Sequence, residues 1–170
     1  MTDSTIVKTL WASGFVNRWH SNPDPRLRCS NDTTAAHSHR VSVLVDLLYD
    51  SMDEHWQLST KAQAVRAALL HDAAENYTGD APYGAKRDSR ISAAMQCGER
   101  DWWEREMGDD GPEMTPIVKL CDQIDAIMFC GHVAPDLLER DDWRAHEELV
   151  MDFASQLGLR DIVEIGRAHV

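Results

Sequence analysis

Apolar residues recur at helical spacing along most of the chain. Val41, Leu44, Val45, Leu48 and Met52 share one face, which predicts a helix from Ala36 to about His55. Ile6, Leu10 and Phe15 set an earlier helix over Thr5 to Trp19. Ser59 or Thr60 caps a third, which runs to about Tyr77 with Val65, Ala68 and Leu69 toward the core. Gly79 and Pro82 end it. Arg90 to Met107 forms a fourth, bearing Trp102 and Trp103. A fifth starts near Thr115, with Pro116 in its first turn, and reaches about Cys130. A long helix over Pro135 to Leu157 and a short tail, "DIVEI", close the chain. The segment "HSNPDPRLRCSND" reads as loop, and no stretch reads convincingly as strand. The expected fold is all-α, one globular domain over residues 1–170, the size at which a single core is the default.

One helix breaks its own pattern. In "RAALLHDAAENYTGDAPYGAKR", His71, Asp72 and Glu75 stand where further leucines would extend the core face. On a helix, His71 and Glu75 share a face at i and i+4, and His71 and Asp72 are about 100° apart, close enough to converge on one ion. Buried charges must be paired or bind a metal. Two other helices carry similar intrusions. His37 sits one turn before Val41 and is expected to point inward, whereas His39 falls on another face. "IVKLCDQIDAI" offers two candidates, Asp122 and Asp125. A lone core histidine is more often hydrogen-bonded than a ligand. The order H…HD…D at core-facing positions is harder to obtain by chance, and its mixed His and carboxylate donors suit Co, Mn, Zn or Fe.

Charge and cysteines narrow the classes. The formal net charge is −12, so bulk charge does not hold a nucleic-acid polymer. Cys29, Cys97, Cys121 and Cys130 form no CxxC pair and read as reduced intracellular thiols. No basic-then-apolar leader follows Met1, and no apolar run approaches a membrane span. The expectation is a cytoplasmic protein without a membrane partner.

The motifs "NRW" (Asn17, Arg18, Trp19), "AHS", "HDAAENYTGDAP" and "KLCDQIDA" resemble, in order, those of the bacterial HD-domain deoxynucleoside 5'-nucleotidases, a branch of the HD-domain phosphohydrolases. The likeness spans Asn17 to Ala126. It extends to the small phage dATP triphosphohydrolases, which share the Arg-Trp pair and the HD core. The resemblance implies His37, His71, Asp72 and Asp122 as metal ligands, choosing Asp122 over Asp125. It implies Glu75 as a catalytic carboxylate, Arg18 as the phosphate-orienting cation and Trp19 as packing on sugar and base. Asp80, Ala81, Pro82 and Tyr83 match a substrate-binding turn whose Asp reads the sugar. The chain departs from that pattern at Gly84, where the family's turn usually has a second proline that helps hold the base, and in the loop Ser21 to Ala35, which matches neither group.

Both groups cleave between the α-phosphorus and the 5'-oxygen. The length of the phosphate tail is the open point. Lys86 and Arg87 follow the substrate turn, and Arg26, Arg28 and Arg40 lie in or beside the rim loop. That cluster, in so acidic a chain, favours a dATP triphosphohydrolase releasing triphosphate, with Mg on the tail, over a 5'-nucleotidase. The other classes weighed are a nucleotide-binding sensor without turnover and a purely structural helical protein. The resemblance further implies a homo-oligomer and a setting such as a phage-infected bacterial cell. Trp102, Trp103 and Trp143, outside the metal set, are expected at an interface.

Overall fold

The computed structural model describes residues 4–52, 58–81, 88–108 and 111–167, with side chains for 7–52, 59–81, 88–108 and 111–164. The described chain is all-α. In order come α1 (Ser4–Ser13), α2 (Pro25–Arg28), α3 (Thr34–Ser51), α4 (Leu58–Leu70), α5 (Glu75–Thr78), α6 (Ser89–Met107), α7 (Pro116–Val133), a 3-10 turn (Pro135–Glu139), α8 (Asp141–Gln156) and α9 (Arg160–Arg167). The described residues contain no strand, only an isolated bridge between Asn17 and Thr33. None of the described helices is long and apolar enough to cross a membrane.

The contacts divide the chain into two units, each built from two stretches. One comprises Met1–Ser38 and Leu69–Glu113, the other His39–Ala68 and Met114–Val170.

The second unit holds the larger apolar core. Val41, Val45 and Leu48 of α3 pack with Ala64, Ala67 and Ala68 of α4, Val118, Leu120 and Cys121 of α7, and Val150 and Ala154 of α8. Thr115 caps α7 by accepting from the Val118 N–H, and Pro116 occupies the first helical position, as the sequence predicts. The long last helix divides at Arg140, whose backbone is extended, into the 3-10 turn and α8.

In the first unit, Trp102 and Trp103 pack edge to face, ring centroids 4.9 Å apart, against Ala73 and Ala74, with Leu10, Leu70 and Met107 around them. This corrects the expected interface role: at 2% and 4% exposure the two indoles are core. Trp143, half-buried, meets His146 edge-on. Gly111 lies against Trp103 so closely that a Cβ there would fall 2.5 Å from the ring. With φ +86°, that position favours glycine twice over. Two apolar expectations also fail. Phe15 is exposed, because α1 stops at Ser13 and a turn follows, and Leu69 is half exposed at the end of α4.

The thiols separate by burial. Cys121 and Cys130 are fully buried, and Cys29 and Cys97 are exposed. Burial, and secondarily the charge of Asp122, pushes the Cys121 thiol up to about 12. A thiol reagent at neutral pH should therefore modify Cys29 and Cys97 in the native protein, and all four cysteines only after denaturation. Mass mapping of the modified peptides checks this, and rapid native labelling of Cys121 would contradict the packing.

Candidate metal centre

His71, Asp72 and Glu75 follow directly on the end of helix α4. That helix stops at Leu70, and the chain continues as tight turns to α5. The Ala73 N–H donates to Leu70 O at 3.0 Å and the Glu75 N–H to Asp72 O at 3.0 Å, both of the i to i+3 kind. This corrects the expectation of a continuous helix to Tyr77. His71 and Asp72 project from the overwound stretch, so their convergence arises from turn geometry and not from an α-helical face.

His37 reaches the same place from the first turn of α3. Its Nε2 lies 3.2 Å from His71 Nε2 and 3.4 Å from Asp72 Oδ2, while His71 Nε2 lies 3.3 Å from Asp72 Oδ1. Donor atoms held at about 2.0–2.2 Å from one divalent ion, at the tetrahedral angle, stand roughly 3.3–3.6 Å apart. The two imidazole nitrogens stand close to that spacing, the carboxylate meets each of them through a different oxygen, and among the described residues these three form a group that can hold one ion. The surroundings suit the task. The side chain of His37 is sealed, that of His71 nearly so, and that of Asp72 is 17% exposed. The open side of the centre is thus at the carboxylate. A pair of imidazoles hydrogen-bonded to each other would explain the 3.2 Å separation alone. The carboxylate beside both rings adds the negative charge that a divalent ion needs.

Glu75, at the start of α5, is buried at 4% exposure. One turn on, Gly79 adopts φ +76° and its N–H donates to Glu75 O at 2.7 Å. That left-handed residue ends α5 and turns the chain into Asp80.

Arg18, Trp19 and Asp80 are brought together. The Trp19 N–H donates to Asp80 Oδ2 at 3.1 Å, and the Arg18 guanidinium carbon lies 5.4 Å from the Trp19 ring centroid. Trp19 has φ +63°, a conformation costing a non-glycine residue about 1–3 kcal/mol and kept only where its surroundings enforce it. Asp80 holds the Trp19 backbone, and a residue without a signal in the sequence holds the side chains. Asp32, buried in the loop before α3, accepts from both Arg18 Nη1 at 3.4 Å and Trp19 Nε1 at 3.2 Å. Its position inside "CSNDTT" reads as an ordinary turn aspartate. Its 14-residue separation from Arg18 leaves no local signal. The loop expected to be irregular is organised: Asp24 caps α2, Pro25 begins it and Leu27 is fully buried.

The remaining expected residues fall as follows. Ala81, half-buried, follows Asp80, whereas Pro82, Tyr83, Gly84, Lys86 and Arg87 lie outside the described residues. His39 is exposed, as its helical position predicted. Asp122 belongs to the second unit, is half-buried on α7, and is not a member of the three-residue group. Its competitor Asp125 is buried and committed to Arg40 through Nε at 2.6 Å and Nη2 at 3.0 Å. Arg40 also lies over the Phe129 ring. Arg26 holds Asp24 in a two-point pair, which lowers that carboxyl to about 2. Two of the five bases that favoured a long phosphate tail are therefore engaged by carboxylates of their own.

No family model, no curated protein and no solved structure matches this chain. The functional reading therefore stands on the site and on the motif resemblance.

Proposed function

We propose that the protein is a metal-dependent hydrolase of deoxynucleotides that cleaves at the α-phosphate. The observation that carries this is the triangle of His37, His71 and Asp72, with a buried glutamate three residues beyond Asp72. A divalent ion bound there would polarise phosphorus and bring the pKa of water toward neutral. The chain's own residues have separable tasks. Arg18 offers a planar fork that grips phosphate oxygens at two points, as a lysine cannot. Trp19 offers a flat apolar face to sugar and base. Glu75 moves the proton: as a water oxygen bonds to the α-phosphorus and the bond to the 5'-oxygen breaks, a proton passes from the water to the departing oxygen. A buried carboxyl group is suited to such a relay. Donor chemistry favours Co, Mn, Zn or Fe. Asp122 carries the expectation of a fourth ligand from the resemblance alone.

The substrate proposed first is a deoxynucleoside triphosphate, dATP by resemblance, with release of triphosphate and Mg on the tail. Lys86 and Arg87 support it. The pairing of Arg26 with Asp24 and of Arg40 with Asp125 favours a second reading, a 5'-nucleotidase acting on deoxynucleoside monophosphates. A monophosphate needs one cation besides the metal. Anion chromatography of products from a panel of dNMPs and dNTPs decides between them. Triphosphate plus deoxynucleoside from dATP is expected on the first reading. Orthophosphate from dNMPs, with dNTPs intact, would overturn it in favour of the second.

A further inference from the structure

We infer that Asp32 is a positioning residue: one buried carboxylate oxygen holds the Arg18 guanidinium and the Trp19 indole in the pose in which they receive the nucleotide. What those two residues bind rests on the hydrolase reading, whereas the arrangement itself is geometric. The Asp32 side chain is 1% exposed and that of Arg18 is 12% exposed, so the two opposite charges are paired largely out of water. Asp32 Oδ2 takes both Arg18 Nη1 and Trp19 Nε1. The guanidinium is a rigid plane, so a hold on Nη1 sets the direction of the whole fork. The backbone reinforces the hold. The Arg18 N–H donates to the Asp32 carbonyl at 2.9 Å, and the neighbouring residues Asn17 and Thr33 pair as an isolated bridge. The two chain segments are therefore clasped beside the two side chains that Asp32 orients. The left-handed Trp19 turns its ring beneath the guanidinium, and Asp80 secures the Trp19 N–H from a different segment. A carboxylate needed only for folding would require none of this focus on the two ligand-facing groups.

Asp32→Asn separates the possibilities, because its amide oxygen can replace Oδ2 as acceptor while the charge opposite Arg18 is lost. The measurement is the Kd for dAMP and dATP by titration calorimetry of Co-loaded protein, in a Glu75→Gln background so that turnover does not consume the ligand. Asp32→Asn is expected to raise the nucleotide Kd about tenfold, the scale of one charge-assisted contact, with the Co Kd unchanged and the Tm lowered, because Arg18 loses its buried counter-charge. In an Arg18→Ala background the same substitution should change the Kd less than about twofold, because the effect passes through Arg18. An unchanged Kd, or an equal rise in both backgrounds, overturns the inference. Trp19→Phe keeps a ring, deletes the donated N–H and tests the second limb if Asp32→Asn does not fold. Its Kd should rise several-fold, and an unchanged Kd overturns that limb. If the Co-loaded parent protein binds neither nucleotide, the hydrolase reading fails and the substrate role of Asp32 fails with it. A variant comparison that fails in a protein that does bind nucleotide removes Asp32 alone.

Discussion

Asp72→Ala should lower turnover by about a thousandfold or more and weaken divalent-metal binding by more than about a hundredfold. The expectation follows from the triangle. The carboxylate spans both imidazoles, its two oxygens 3.4 Å and 3.3 Å from His37 Nε2 and His71 Nε2. Removing a residue that merely orients a ligand costs about 10- to 100-fold in affinity, so losing a ligand should exceed the upper end of that range. The packed alanines and tryptophans nearby do not depend on Asp72, so the fold should persist. Calorimetric titration with Co and a circular dichroism melt read the two effects separately. An Asp72→Ala protein that melts early but binds metal as tightly as the parent would assign Asp72 to structure instead.

Glu75→Gln should act on the chemical step without affecting the metal. The amide has nearly the shape of the buried carboxyl group but cannot carry the proton. The expected loss in kcat is about 10²- to 10⁴-fold, the usual contribution of a positioned acid or base. Metal and nucleotide affinities should stay within about twofold. The pH–rate profile should also lose the limb set by this group, since glutamine does not titrate. If instead the metal Kd rose with the loss of activity, Glu75 would be bracing a ligand rather than moving a proton.

Much of the fold was legible because its helices obey their own periodicity. Val41, Val45 and Leu48 are buried as their spacing predicts, and Thr115 with Pro116 marks the start of α7. The failures have particular physical causes. The stretch from His71 to Ala74 shares its composition with a helix, and only its i to i+3 bonding shows that the chain tightens there. Trp102 and Trp103 lie on a helix whose face is set by a partner distant in sequence, including Ala73 and Ala74. The candidate ligands His37, His71 and Asp72 could be chosen because ionisable residues at apolar positions need a reason. Asp32 could not be chosen, since aspartate in a turn needs none. The basic cluster was legible only in part for the opposite reason. A sequence lists cations but not the carboxylates that engage them, and Asp24 and Asp125 engage Arg26 and Arg40.

Hydrolysis of a deoxynucleotide at this site would depend on the ion that His37, His71 and Asp72 can hold. The most direct test is turnover of dNMPs and dNTPs by chelator-treated protein, with one divalent metal restored at a time. No turnover is expected without metal, with recovery on restoring at least one of Co, Mn, Zn or Fe. Turnover that is equal with and without metal, or none with any metal, would contradict that expectation.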